Sequence, residues 1–255
     1  MTTPPSSALP PGITTRRSRW LTGRPPTQPP RRHLYCFPHS GGLPGEFVRW
    51  RIQLTGTQVY GICPPGRGSR AGEPAIADLG TLVRELLEET EFVPPYDLFG
   101  HSLGALIAYE VARELFARGR PLPERLIVSA FPAPHLPRPV TGLADTPDEE
   151  LVASLNERYG GIPAYLAADT ELMALLLPVF RADFALLDGY SHRPGESLPV
   201  PMEVVGGDTD EVTADQLKQW ERHSTSTVRV HRFAGGHFYF REEPAPLLTV
   251  LAQHT

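Results

Sequence analysis

Gly100-His101-Ser102-Leu103-Gly104 sets a serine between two glycines in the spacing G-x-S-x-G. The serine could attack an electrophile, or it could only cap a helix. As a nucleophile it needs a base to take its proton and an acid to orient that base. The downstream histidines are His135, His192, His223, His231, His237 and His254. His237 lies in AGGHFYF, a glycine-containing loop directly after the apolar alternation of Val228–Phe233, and is the candidate base. His231 falls within that alternation and reads as a surface or packed side chain. An acid should close another strand end. The loop after Arg125–Phe131, residues 132–139, contains no Asp or Glu. The loop after Pro201–Val205 reads GGDTDE and offers Asp208, Asp210 and Glu211. In a G-x-x-D loop the fourth position turns toward the histidine, which selects Asp210, whereas Asp208 suits a turn cap.

These residues need a scaffold that brings distant loops together. Short apolar runs at His33–Phe37, Gln58–Cys63, Tyr96–Phe99, Arg125–Phe131, Pro201–Val205 and Val228–Phe233 read as strands. Helical spacing is present over 76–92, over Leu103–Ala117 and from about Pro244 to Gln253. Strands alternating with helices predict an α/β fold with a mostly parallel sheet covered on both faces. Ser102 then stands directly after a strand and directly before a helix, the context of a strained nucleophile turn. An anion forming there would meet the Leu103 N–H at the helix start. A second backbone donor is expected from the glycine-rich loop PHSGG, at the Ser40 N–H.

Residues 145–192 interrupt the rhythm and hold no clear strand. They contain a helix start at TPDE and a long apolar helical stretch over Asp169–Tyr190, which Pro178 should kink. The segment reads as a helical lid or as plain core helices.

At 255 residues the chain suits one large domain. Residues 1–15 are Ser-, Thr- and Pro-rich and are expected to be disordered, leaving 16–255 as the domain. Net charge is −5, yet residues 1–32 hold arginines and no acid, a pattern unlike a general nucleic-acid binder. The arginines read as a solvated tail or as a contact for an acidic partner. No run approaches a membrane span and no signal peptide is visible. Two cysteines, Cys36 and Cys63, make no disulfide framework, so the expectation is a reduced, cytoplasmic protein. With no metal-ligand spacing and neither G-x-G-x-x-G nor a P-loop, no metal or cofactor is expected. The absence of a coiled-coil stripe favours a monomer.

CFPHSGG (Cys36–Gly42), PPGRG (Pro64–Gly68), LFGHSLGA (Leu98–Ala105), LLPVFRADF (Leu176–Phe184), GGDTD (Gly206–Asp210) and GGHFYF (Gly235–Phe240) together resemble type II thioesterases, the editing hydrolases of polyketide and nonribosomal peptide assembly lines. The resemblance covers roughly Trp20 to the C-terminus. It implies an α/β-hydrolase fold with a helical lid over about 145–192, and hydrolysis of acyl groups stalled on the phosphopantetheine arm of carrier proteins. By position it gives Ser102, Asp210 and His237 the catalytic triad, and Ser40 and Leu103 the oxyanion hole. Leu176, Phe180 and Phe184 are candidates for lining the acyl pocket. Two other readings share the residues: an esterase acting on small free esters, and a catalytically idle binding module.

Overall fold

Side-chain alternation along each strand decides which of two layers it feeds. The computed structural model describes residues 18–26, 28–159 and 169–253; the expected disordered tail, 1–15, lies outside them. The described strands are β1 (Leu21–Thr22), β2 (Arg32–Phe37), β3 (Thr57–Ile62), β4 (Tyr96–His101), β5 (Arg125–Ser129), β6 (Met202–Gly207) and β7 (Val228–Phe233). They form one sheet in the order β1-β3-β2-β4-β5-β6-β7, parallel throughout except that β1 runs antiparallel to β3. The described helices are α1 (Gly45–Val48), α2 (Leu79–Glu89), α3 (Leu103–Ala117), α4 (Asp148–Tyr159), α5 (Thr170–Asp188), α6 (Ala214–Lys218), α7 (Tyr239–Glu242) and α8 (Ala245–Ala252).

Tyr35, Leu98, Leu126, Val128 and Val204 face α2 and α3. Their neighbours Leu34, Cys36, Phe99, Ile127 and Val205 face Phe47, Trp50 and the α7–α8 segment. Strands β4, β5 and β6 are buried at every position, as a parallel sheet covered on both sides requires. Each fully buried large apolar side chain contributes about 1.5–3 kcal/mol. Because β3 and β4 flank β2 on opposite sides, the chain reverses direction across the sheet at β2. Loops at the carboxyl ends of strands converge beside such a reversal, which is where open α/β sheets bind ligands.

The opposite end of the sheet is tied by charge. Asp97 at the start of β4 accepts from Arg125 at 2.6 and 3.2 Å and from Arg32 at 3.1 Å. Arg125 also donates to the Val250 and Leu251 carbonyls in the last turn of α8. Arg32 is therefore buried rather than part of a solvated tail, and exposed Arg19 pairs with Glu73 and Glu89. Just before β1, Trp20 is fully buried beneath the Arg70 guanidinium at 4.4 Å.

One helix start differs from the sequence expectation. Helix α2 starts at Leu79 rather than near Ile76, because the Asp78 carboxylate accepts from the Thr81 N–H at 2.7 Å and caps it there. Pro178 lies inside α5, where it cannot donate to the carbonyl one turn back. Helices α4 and α5 carry a small core of their own, including Leu151, Leu155, Met173, Leu177, Phe180 and Phe184.

Candidate active site

Ser102 sits at φ 54°, ψ −123°, a conformation that a non-glycine residue holds only under constraint from its surroundings. Its N–H donates to the Ser129 carbonyl at 2.8 Å. The flanking glycines have a steric cause. A Cβ at Gly100 would lie 2.1 Å from the Gly104 oxygen, and one at Gly104 would lie 2.1 Å from the Phe37 oxygen. Only without those carbons can α3 begin against the end of β2. Behind the turn, His101 Nδ1 and Tyr239 Oη each lie 2.9 Å from Ser129 Oγ. Ser102 occupies the N-cap position, yet its side chain makes no capping hydrogen bond. The hydroxyl is not used to start the helix.

The loops after β6 and β7 bring Asp210 and His237 together. His237 Nδ1 lies 3.2 and 3.1 Å from the two Asp210 carboxylate oxygens. Both side chains are largely buried, at 10% and 2% exposure. Asp208 ties the two loops rather than capping its own turn: its carboxylate accepts from the Gly235 N–H at 2.9 Å, while the local turn bond, from the Val212 N–H at 3.3 Å, goes to Asp210. Gly207 is required there, since a Cβ would stand 2.2 Å from the Gly236 oxygen. Glu211 is exposed. His231 lies on the sheet, 2.7 Å from Glu203.

The loop after β2 turns through a Gly42 N–H to His39 carbonyl bond of 2.8 Å, with Gly41 at φ +69°. A cavity of about 780 Å³ opens beside it. Its lining includes Ser40, Ser102 and His237, and also Leu176, Phe180 and Phe184 of α5. Leu103 is buried at the first position of α3. Every site residue expected from sequence thus falls at the carboxyl edge of the sheet or on the helix beside it. Sequence reasoning missed Leu155, Leu187 and Phe238, which also line the cavity. The charged rim of Glu46, Arg49 and Arg241 was missed as well. It missed too the buried pair of Arg67 and Asp183 next to the loop. The one available signal was an acid, Asp183, set with Arg181 inside a mostly apolar helical run.

Burial pushes several histidines below their ordinary range. Burial, aided by the Arg241 and His237 charges, keeps His39 and His101 well below the ordinary histidine range. Burial and nearby His135 lower His223 to about 3; it bonds Tyr109 Oη at 2.8 Å and His135 at 2.7 Å. An unfolded chain takes up these protons near pH 6.5, so below that pH the unfolded state binds more protons than the folded one. Stability falls as pH drops below about 6.5, by up to about 1.4 kcal/mol per pH unit for each such histidine. The urea midpoint should decline steadily between about pH 7 and about pH 5. A level midpoint over that range would mean that these side chains take up protons in the native fold.

Comparison with known proteins gives the site a lineage. The "Thioesterase domain" family matches residues 32–253. Among curated proteins, the linear gramicidin dehydrogenase LgrE of Brevibacillus parabrevis is 32% identical, over 92% of this chain and 91% of its own length. The thioesterase PikA5 of Streptomyces venezuelae is 30% identical, over 92% of this chain and 85% of its own. Among solved structures, the type II thioesterase BorB from the borrelidin biosynthetic cluster is similar at a TM-score of 0.83 and 33% identity, covering 91% of this chain and 96% of that one. The matched span takes in the serine turn, the acid loop, the histidine loop and the lid helices, and the chain belongs to the thioesterase domain family of α/β-hydrolases, among its type II members.

Proposed function

We propose that Ser102, His237 and Asp210 act as nucleophile, base and orienting acid in the hydrolysis of acyl thioesters carried on the phosphopantetheine arm of carrier proteins. The observation that carries this reading is the Ser102 turn: a constrained backbone, a hydroxyl uncommitted to the helix, and a cavity shared with a carboxylate-bonded histidine.

Ser102 Oγ attacks the thioester carbonyl carbon while its proton passes to His237 Nε2. The Asp210 carboxylate accepts the Nδ1–H, fixes the tautomer and stabilises the imidazolium. Negative charge on the carbonyl oxygen is met by the Leu103 and Ser40 N–H groups; one such donor is worth about 2.7–4 kcal/mol. Collapse breaks the carbon–sulfur bond, and the departing sulfur takes the proton from His237. The acyl-Ser102 ester remains. His237 then deprotonates a water, which attacks the ester, and the second collapse releases the acid and returns the proton to Ser102. The acyl chain lies along Leu176, Phe180 and Phe184. We place the enzyme in the cytoplasm as a monomer, consistent with two buried, unpaired thiols.

The dehydrogenase name of one relative raises the question of a dinucleotide site. Gly66–Ala71 has glycines at suggestive spacing, but it runs into a single tight turn over Gly68–Arg70 rather than into a long helix. Arg67 and Arg70 of that segment are held by Asp183 and Glu73. The geometry there favours a structural turn.

The decisive comparison is kcat/KM for an acyl group on a holo carrier protein against the same acyl group in a small oxygen ester. We expect the carrier thioester to be preferred by at least about 100-fold, equivalent to about 2.7 kcal/mol of added transition-state binding. Equal or inverted preference would turn the reading toward a small-ester esterase.

A further inference from the structure

The lid helix holds the oxyanion loop by its backbone. Asp183 on α5 is 2% exposed, and its Oδ2 accepts the Gly41 N–H at 2.7 Å. The same carboxylate takes both terminal nitrogens of buried Arg67, at 2.9 and 2.6 Å. Arg67 Nη1 also reaches the Gly42 carbonyl at 3.5 Å. One helical turn earlier, Phe180 packs against Gly41: a Cβ there would stand 2.1 Å from its ring. Residues three apart on a helix share a face, so Phe180 and Asp183 grip Gly41 together.

We infer that Asp183 is a positioning residue for the oxyanion hole. Two consecutive peptide units make the link. The Gly41 N–H belongs to the plane that also carries the Ser40 carbonyl. Holding that N–H toward α5 fixes the Ser40–Gly41 peptide, while the Gly42 N–H bond to the His39 carbonyl at 2.8 Å holds the preceding peptide; together they set the direction of the Ser40 N–H, the proposed donor. Gly41 N–H itself, directed at a carboxylate, is unavailable to the substrate. Arg67 binds both carboxylate oxygens and turns the group toward Gly41, and it supplies the cation partner that a buried carboxylate requires. The oxyanion loop therefore takes its shape from a residue 142 positions away, on the helix that also supplies the acyl-pocket wall. The apolar pocket and the charge-stabilising donor are parts of one assembly.

This inference rests on the serine-hydrolase reading, and the test separates the two. Removing Asp183 alone strands the Arg67 charge, so paired variants are compared. Arg67→Met with Asp183→Asn removes both charges but leaves an amide oxygen to accept from Gly41. Arg67→Met with Asp183→Leu removes the acceptor as well. Turnover is expressed per active site, counted by complete labelling with a fluorophosphonate, so that misfolded protein does not enter. The leucine pair should lose about 10–100-fold in kcat relative to the asparagine pair, with KM within about threefold. The inhibition constant of an acyl trifluoromethyl ketone, whose adduct oxygen occupies the oxyanion hole, should rise in parallel. A purely structural staple would lower the number of labelled sites without changing kcat per site. Equal kcat in the two pairs, or a loss of kcat with unchanged ketone affinity, overturns the inference. If the leucine pair does not fold, Asp183→Glu keeps the ion pair but displaces the acceptor. Its kcat per site should fall at least about 10-fold, and wild-type turnover there overturns the inference equally. A Ser102→Ala arm that stays active would instead refute the underlying serine-hydrolase reading.

Discussion

Replacing Ser102 with alanine is expected to lower kcat by about a million-fold, the scale at which an activated serine is lost. The fold should survive the change. The hydroxyl makes no capping bond to α3, and the N–H that joins the turn to Ser129 is backbone. Alanine keeps both the Cβ and the unusual φ of this position, so the constraint there is unaltered. What remains is catalysis by binding and oxyanion stabilisation, about 10³–10⁴ over the uncatalysed rate. Steady-state hydrolysis of an acyl-pantetheine thioester, read beside a thermal melt, checks it. A variant that melts like wild type and turns over within tenfold of it would remove Ser102 from the mechanism.

Asp210→Asn carries the second largest expected effect, about 10⁴-fold in kcat. The asparagine fits the same space, but its NH2 group donates where the carboxylate accepted. The His237 tautomer with the proton on Nδ1 is then disfavoured, and the nitrogen facing Ser102 no longer accepts a proton. The neighbouring Asp208→Asn supplies the control. Its side-chain oxygen still accepts from the Gly235 N–H, so the loop is kept and kcat should stay within a few-fold of wild type. Both carboxylates lie within one five-residue loop, and the contrast between the two variants assigns the acid. A collapse of activity in the Asp208 variant with an active Asp210 variant would reverse the assignment.

Much of this arrangement was legible in the sequence because it depends on strand ends. The serine turn, the acid loop and the histidine loop each follow an apolar run, and a parallel sheet delivers all such ends to one edge. The bounds of α3 and β7 coincide with their sequence patterns, since each is set by periodic apolar residues over several turns or pleats. The two-residue β1 carries no period to read, and its place is marked only by the burial of Trp20. The start of α2 depends on one capping carboxylate, Asp78, which outweighs the apolar Ile76 two residues before it. The arginines of the N-terminal region looked like a solvated group, yet Arg32 is committed to Asp97 and Glu124 across the sheet. The grip of Asp183 on Gly41 joins residues too distant in sequence for any local pattern to show it.

The most direct measurement is intact-protein mass spectrometry of an acyl-loaded holo carrier protein mixed with this enzyme and quenched over time. The account predicts that the carrier returns to the mass of its free-thiol form while the acyl mass appears transiently on the peptide containing Ser102. A carrier that keeps its acyl group while the enzyme cleaves small oxygen esters, or an acyl adduct on a different residue, would contradict it.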